Sequence, residues 1–146
     1  MTPHPHTVQD DRIGYVFKKV HAALRIAMDD CLRPLGISTP QYAVLSVVGE
    51  EAGLSGAEVA RRCFVTPQTA NELMVNLEQH GFLRRQRAED SRALQLSLTE
   101  EGTILIGQAN ARVAEVEARL IHYLPIAEQA QLLQLLQACV RGLTER

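Results

Sequence analysis

Four arginines, Arg84, Arg85, Arg87 and Arg92, crowd into the nine residues RRQRAEDSR, with Glu89 and Asp90 set among them. Clustered guanidiniums form a local positive patch of the kind that can meet a polyanion. An acid beside an arginine orients that flexible cation and lowers the cost of ordering it. Other reactive patterns are thin. Ser55 in GLSGA does not fit G-x-S-x-G and reads better as a helix cap. Neither G-x-G-x-x-G nor a Walker pattern occurs, and the acids and histidines have no paired arrangement at a useful spacing. His4 and His6 fall near the start; His21, His80 and His122 stand alone, so a closed four-ligand zinc site is not expected. Cys31, Cys63 and Cys139 are far apart, with no C-x-x-C pair. They are expected to be reduced thiols acting as small hydrophobes at apolar helix positions. The expectation is no enzyme, no metal and no cofactor.

A formal net charge of −2 excludes a uniformly basic nucleic-acid binder, so any such contact must come from a local patch. At 146 residues the chain is long enough for one domain with a real core. No apolar run approaches the ~20 residues that cross a bilayer. The start, MTPHPHTVQDD, has neither the basic residues nor the apolar stretch of a signal peptide. A cytoplasmic location without membrane contact is the default.

The elements that must position the arginines follow from periodicity. Residues 1–10 read as a loose arm, and a single domain spans 11–146. Ile13, Val16, Phe17, Val20, Leu24, Met28, Leu32 and Leu35 repeat at helical spacing until Pro34 and Gly36 break the pattern. Thr39 is expected as an N-cap with Pro40 at the first helical position, and Gly49 and Gly53 bracket that helix's end. Ser55 and Glu58 form S-x-x-E, a capping box. After a turn at Phe64-Val65, Thr66 and Pro67 start a helix with an apolar stripe of Ala70, Leu73, Met74 and Leu77, stopped by Gly81. Two short helices around one tight turn make a helix-turn-helix. Residues 82–87 and 93–98 alternate around the polar turn AEDS, a hairpin. Thr99 then caps a long helix with Glu100 and Glu101 in its first turn, and Pro125 separates it from a last one.

The fold class is therefore mainly α, an α+β winged helix-turn-helix. The winged lobe spans 37–98, flanked by long apolar helices at 11–35 and 99–146. Those helices are more apolar than so small a lobe needs, and a second subunit is the economical partner. Leu32, Leu133, Leu136 and Leu143 are the residues expected to be buried in that homodimer.

These residues resemble the MarR (multiple antibiotic resistance regulator) family of winged-helix transcription factors. The resemblance runs from about Gly14 to the end and is carried by PLGISTPQYAVL, LSGAEVARRCFVTPQTANELMVNLEQHGFLRR and DSRALQLSLTEEG, the last with a D-x-R wing followed by L-T-x-x-G. It implies a homodimer on a pseudo-palindromic double-stranded DNA operator, released by a small ligand. Thr66, Pro67, Gln68, Thr69, Asn71 and Glu72 match the start of the recognition helix. Asp90 and Arg92 match the wing, with Arg92 in a minor groove, and Arg84, Arg85 and Arg87 would add phosphate contacts. Where relatives commonly carry arginine this chain has Glu72, and Asn76 and Gln79 stand at positions often basic. Relatives hold ligands between the winged lobe and the dimerisation helices. An aromatic or phenolic molecule is accordingly expected near Tyr15, His21, Arg25, Met28 and Tyr42. The alternatives are a winged-helix protein-interaction module without DNA binding, motivated by the acidity and Glu72, and a cysteine-based redox regulator.

Overall fold

The computed structural model describes residues 12–87, 89 and 94–146. The 1–10 arm, Asp90 and Arg92 lie outside them. Among the described residues six helices and one hairpin follow in order: α1 (Ile13–Leu32), α2 (Thr39–Glu50), α3 (Gly56–Arg62), α4 (Pro67–Gln79), β1 (Leu83–Arg87), β2 (Leu94–Leu98), α5 (Glu100–Leu120) and α6 (Ile126–Thr144). A 3-10 turn, Arg33–Leu35, ends α1, and Gly36 leaves it at φ 72°, a left-handed conformation that suits glycine.

Helices α2 to α5 each start where a short oxygen-bearing side chain takes an orphan amide, whereas α1 and α6 start after Arg12 and Pro125 without a side-chain cap. Ser55 accepts from Glu58 N, Thr66 from Thr69 N and Thr99 from Gly102 N. At Ser55 the box closes on one side only, because Glu58 turns its carboxylate to Arg61. The start of α2 lies one residue earlier than expected. Ser38, not Thr39, is the N-cap: its hydroxyl accepts from Gln41 N while Gln41 Oε1 accepts from Ser38 N. Gln41 stands three residues after Ser38, the spacing a reciprocal box requires. Thr39 is freed to donate to Asp29 across the α1–α2 turn.

The core belongs to the lobe. Leu32 from α1, Val44, Leu45 and Val48 from α2, Val59 from α3, Leu77 from α4, Leu83 from β1 and Leu96 from β2 are all under 2% exposed. Each such side chain contributes about 1.5–3 kcal/mol through burial. A two-stranded hairpin alone is marginal in water, and here Leu83 and Leu96 hold it to the helices. Leu54 also bridges Leu96, with Gly53 N and Leu96 N donating to Leu96 O and Leu54 O at 2.9 and 3.0 Å. One residue has no periodicity, so this third rung was invisible in the sequence.

α5 lays Leu105, Ile106, Ala109, Val113 and Val116 against the lobe and α1, whereas α6 has no buried residue. Leu133, Leu136, Val140 and Leu143 remain exposed, as do Val16, Phe17 and Val20 of α1. The interface expectation needs one correction. Leu32 is wholly buried in its own protomer's core and has no surface left for a partner. Cys139 likewise departs from its expected burial, standing exposed on α6. Among the described residues no helix is long and apolar enough to cross a membrane.

Candidate nucleic-acid interface

α4 buries Ala70, Met74 and Leu77, with Leu73 half-buried beside them. At about 100° per residue, Gln68, Asn71 and Glu72 fall away from that stripe. Thr66, Pro67, Gln68, Thr69, Asn71 and Glu72 are all exposed, so the predicted start of the recognition helix forms one continuous surface. Thr66 Oγ1 takes the Thr69 amide, Pro67 has none to offer and Ala70 N donates to Thr66 O, which leaves the Gln68 amide at the positive end of the helix dipole. That end attracts phosphate without a basic side chain. Asn76 and Gln79 differ in their availability. Asn76 Oδ1 accepts from Gln41 Nε2 at 2.7 Å, which turns it toward α2, while Gln79 is exposed.

The strand pleat separates the arginines. Successive side chains alternate faces, so Leu83, Arg85 and Arg87 share one face and Arg84 the other. Leu83 enters the core, and Arg85, paired across the hairpin with Leu96, turns inward after it. Arg85 is only 18% exposed; its Nε stands 3.5 Å from Glu78 Oε2 and its Nη1 donates to Asn71 Oδ1 at 3.3 Å. It is thus a brace between wing and α4 rather than the open phosphate contact expected of it. Arg84 and Arg87 are exposed. On α3, Arg61 pairs with Glu58 at 2.8 Å and Arg62 with Glu51 at 2.8 Å. The hydrogen bond from Arg61 holds the Glu58 carboxyl below its ordinary range.

Behind α4 the chain is locked to α5. Gly81 closes α4 at φ 80°, and its carbonyl accepts from Thr99 Oγ1 at 2.6 Å. Thr99 N donates to Phe82 O at 3.2 Å, while Thr99 Oγ1 accepts from Gly102 N at 3.0 Å. One threonine therefore closes the end of one helix and opens the next. A Cβ on Gly102 would lie 2.1 Å from Phe82 O, which is why the L-T-x-x-G pattern ends in glycine.

The five residues expected around a ligand do not converge within a protomer. Arg25 pairs with Asp29 at 3.2 Å, Tyr15 lies beneath Lys19, His21 is exposed, and Met28 packs on the core. Tyr42 alone lines the cleft of about 440 Å³ between α2, β2 and α5, where its hydroxyl donates to Asn110 Oδ1 at 2.7 Å. Ser46, Thr103 and Asn110 of that cleft were missed, since only the packing of α5 on α2 brings them together. The Ser46 hydroxyl is buried there without a hydrogen-bond partner among the described residues. A second cavity, of about 460 Å³, opens between α1 and the end of α5 around Leu24, Val116 and Tyr123. Burial pushes the Cys31 and Cys63 thiols above their ordinary range.

Comparison with known proteins agrees with this architecture. The MarR family model matches residues 35–93. The HTH-type transcriptional repressor Rv2887 of Mycobacterium tuberculosis is 34% identical over 129 residues, 88% of this chain and 93% of the relative. The crystal structure of Rv2887 in complex with DNA aligns at a TM-score of 0.75 and 32% identity, covering 89% of this chain and 98% of that one. Rv2887 in complex with p-aminosalicylic acid aligns at 0.73 and 34%, covering 88% and 98%. Sequence and fold thus match over almost nine tenths of the chain, and the chain belongs to the MarR family.

Proposed function

We propose that this protein is a transcriptional repressor that binds a pseudo-palindromic operator as a homodimer in the cytoplasm, and that a small aromatic acid or phenol releases it. The observation that carries this reading is the unbroken exposure of Thr66, Pro67, Gln68, Thr69, Asn71 and Glu72 at the start of α4. A recognition helix enters the major groove by that end. Arg84 and Arg87 stand on the neighbouring strand to meet phosphates, and Asp90 and Arg92 are proposed as the minor-groove pair of the wing. The exposed leucines of α6 and apolar residues of α1 supply a surface for the second subunit. Two recognition helices then face half-sites one helical turn apart, about 34 Å. The similarity to a repressor crystallised both with DNA and with p-aminosalicylic acid supports both halves of the reading.

The test is selection from a randomised 30-base-pair duplex pool by the full-length protein. The expected outcome is an enriched inverted repeat whose affinity falls steeply with salt, with a log–log slope of about −0.9 per neutralised phosphate. Sedimentation should give twice the chain mass, and p-aminosalicylate should raise the melting temperature while weakening binding to the selected duplex. No enrichment, together with no binding at low salt, would favour the protein-interaction alternative.

A further inference from the structure

The contact between Arg85 and Asn71 has a consequence for base recognition. A guanidinium carries donors only, so the amide of Asn71 must turn its oxygen toward Arg85; the reversed amide would set two donors against each other. The distance is 3.3 Å, and Arg85 is itself held by Glu78 at 3.5 Å and by its burial behind β1. Asn71 is exposed on the groove-facing surface of α4. With one of the oxygen's two lone pairs engaged by Arg85, the NH₂ group, with two donors, is the part of the amide turned away from that tie. An asparagine free of such a tie reads adenine bidentately, using its oxygen for N6 and its nitrogen for N7. In Asn71 the oxygen is turned toward Arg85, which sets it off the line of that bidentate pairing.

Resting on the DNA-binding reading above, we propose that Asn71 is a specificity-determining residue that selects guanine, whose N7 and O6 present two adjacent acceptors in the major groove, and that Arg85 is the positioning residue that imposes this choice from outside the groove. Adenine is disfavoured because its N6 donor meets a second donor.

The experiment is the same duplex selection, run in parallel with wild type, Asn71→Ala, Asn71→Asp and Arg85→Met. Wild type should enrich guanine at one symmetry-related pair of positions, and Asn71→Ala should erase that preference, roughly tenfold, with the other positions unchanged. Asn71→Asp keeps the shape and the tie to Arg85 but has no donor, so it too should lose guanine at that pair. Arg85→Met frees the amide oxygen and should move the preference from guanine to adenine. Because Arg85 is largely buried, its variant is first checked for a cooperative melt; if it does not fold, Asn71→Asp decides. Adenine at the position that Asn71→Ala erases would overturn the inference. So would retention of guanine by Asn71→Asp, or a selection in which no position depends on Asn71. Failure of all four proteins to enrich any sequence would instead remove the DNA-binding reading, and this inference with it.

Discussion

Gly102→Ala should destabilise the protein even though alanine is the better helix former. The added Cβ would lie 2.1 Å from Phe82 O and 3.0 Å from Phe82 C, both backbone atoms with no rotamer to escape into. Restoring even 3.0 Å to the oxygen needs a shift of about 0.9 Å, the difference between those two distances. Overpacking of this kind costs about 1–3 kcal/mol. The movement also strains the bond from Thr99 N to Phe82 O, already 3.2 Å long and worth about 1 kcal/mol. Against this, replacing glycine inside a helix gains about 1 kcal/mol. The balance is a loss of about 1–3 kcal/mol. For a chain of this size that lowers the melting temperature by roughly 2–4 °C per kcal/mol, read at matched protein concentration because a dimer's melting depends on it. Gly107→Ala in the same helix is the internal control. Nothing lies within 4 Å of its Cβ, so it should gain stability by about 0.5–1 kcal/mol. Equal shifts for the two variants would refute the close approach at Phe82.

Three further outcomes are expected. Phe64 holds a φ of 57° in the turn before α4 and is 95% exposed; Phe64→Gly relieves the left-handed strain without losing packing and should stabilise by about 0.5–1 kcal/mol in urea unfolding. No gain would mean that this side chain finds contacts elsewhere. Arg84→Ala should weaken binding to selected and scrambled duplexes alike and reduce the salt slope by about 1 in anisotropy titrations; an effect confined to the selected sequence would make Arg84 a base reader. The raised pKa values of Cys31 and Cys63 shrink their thiolate fraction at neutral pH. Modest peroxide should therefore leave DNA affinity unchanged, and release abolished by a single Cys→Ser change would establish the redox alternative.

Local chemistry was legible in the sequence, and long-range geometry was not. As caps and stops, Thr66, Pro67, Gly81 and Thr99 act on their own helix ends, and the structure puts each where its type predicts; the bond from Thr99 to Gly81, 18 positions back, was not legible. Ser38 and Thr39 are both good caps, and only Gln41 breaks the tie, so the start of α2 slipped by one. The pleat of β1 was available too: a period of two already sets Arg84 apart from Arg85. That Arg85 would meet Asn71 and Glu78 required knowing how β1 lies on α4. Helical spacing marks Leu32 and Leu133 as apolar in the same way; it cannot say that one enters its own core and the other stays exposed on α6. The cleft beside Tyr42 was illegible for the same reason, because Asn110 reaches Tyr42 across 68 positions of chain.

Thr99 has a mechanical meaning as well. It ties the end of α4 and the base of the wing to the first turn of α5, so a tilt of α5 is passed on to them. α5 has 21 residues, a rod about 31 Å long at about 1.5 Å per residue. Held at its far end, such a rod multiplies small tilts: about 5° there carries the Thr99 end nearly ~3 Å, as far as a hydrogen bond is long. A molecule wedged into the cleft beside Tyr42 and Asn110 would press close to the driven end of this lever. It would need no contact with the reading surface to put the two recognition helices out of step with their half-sites.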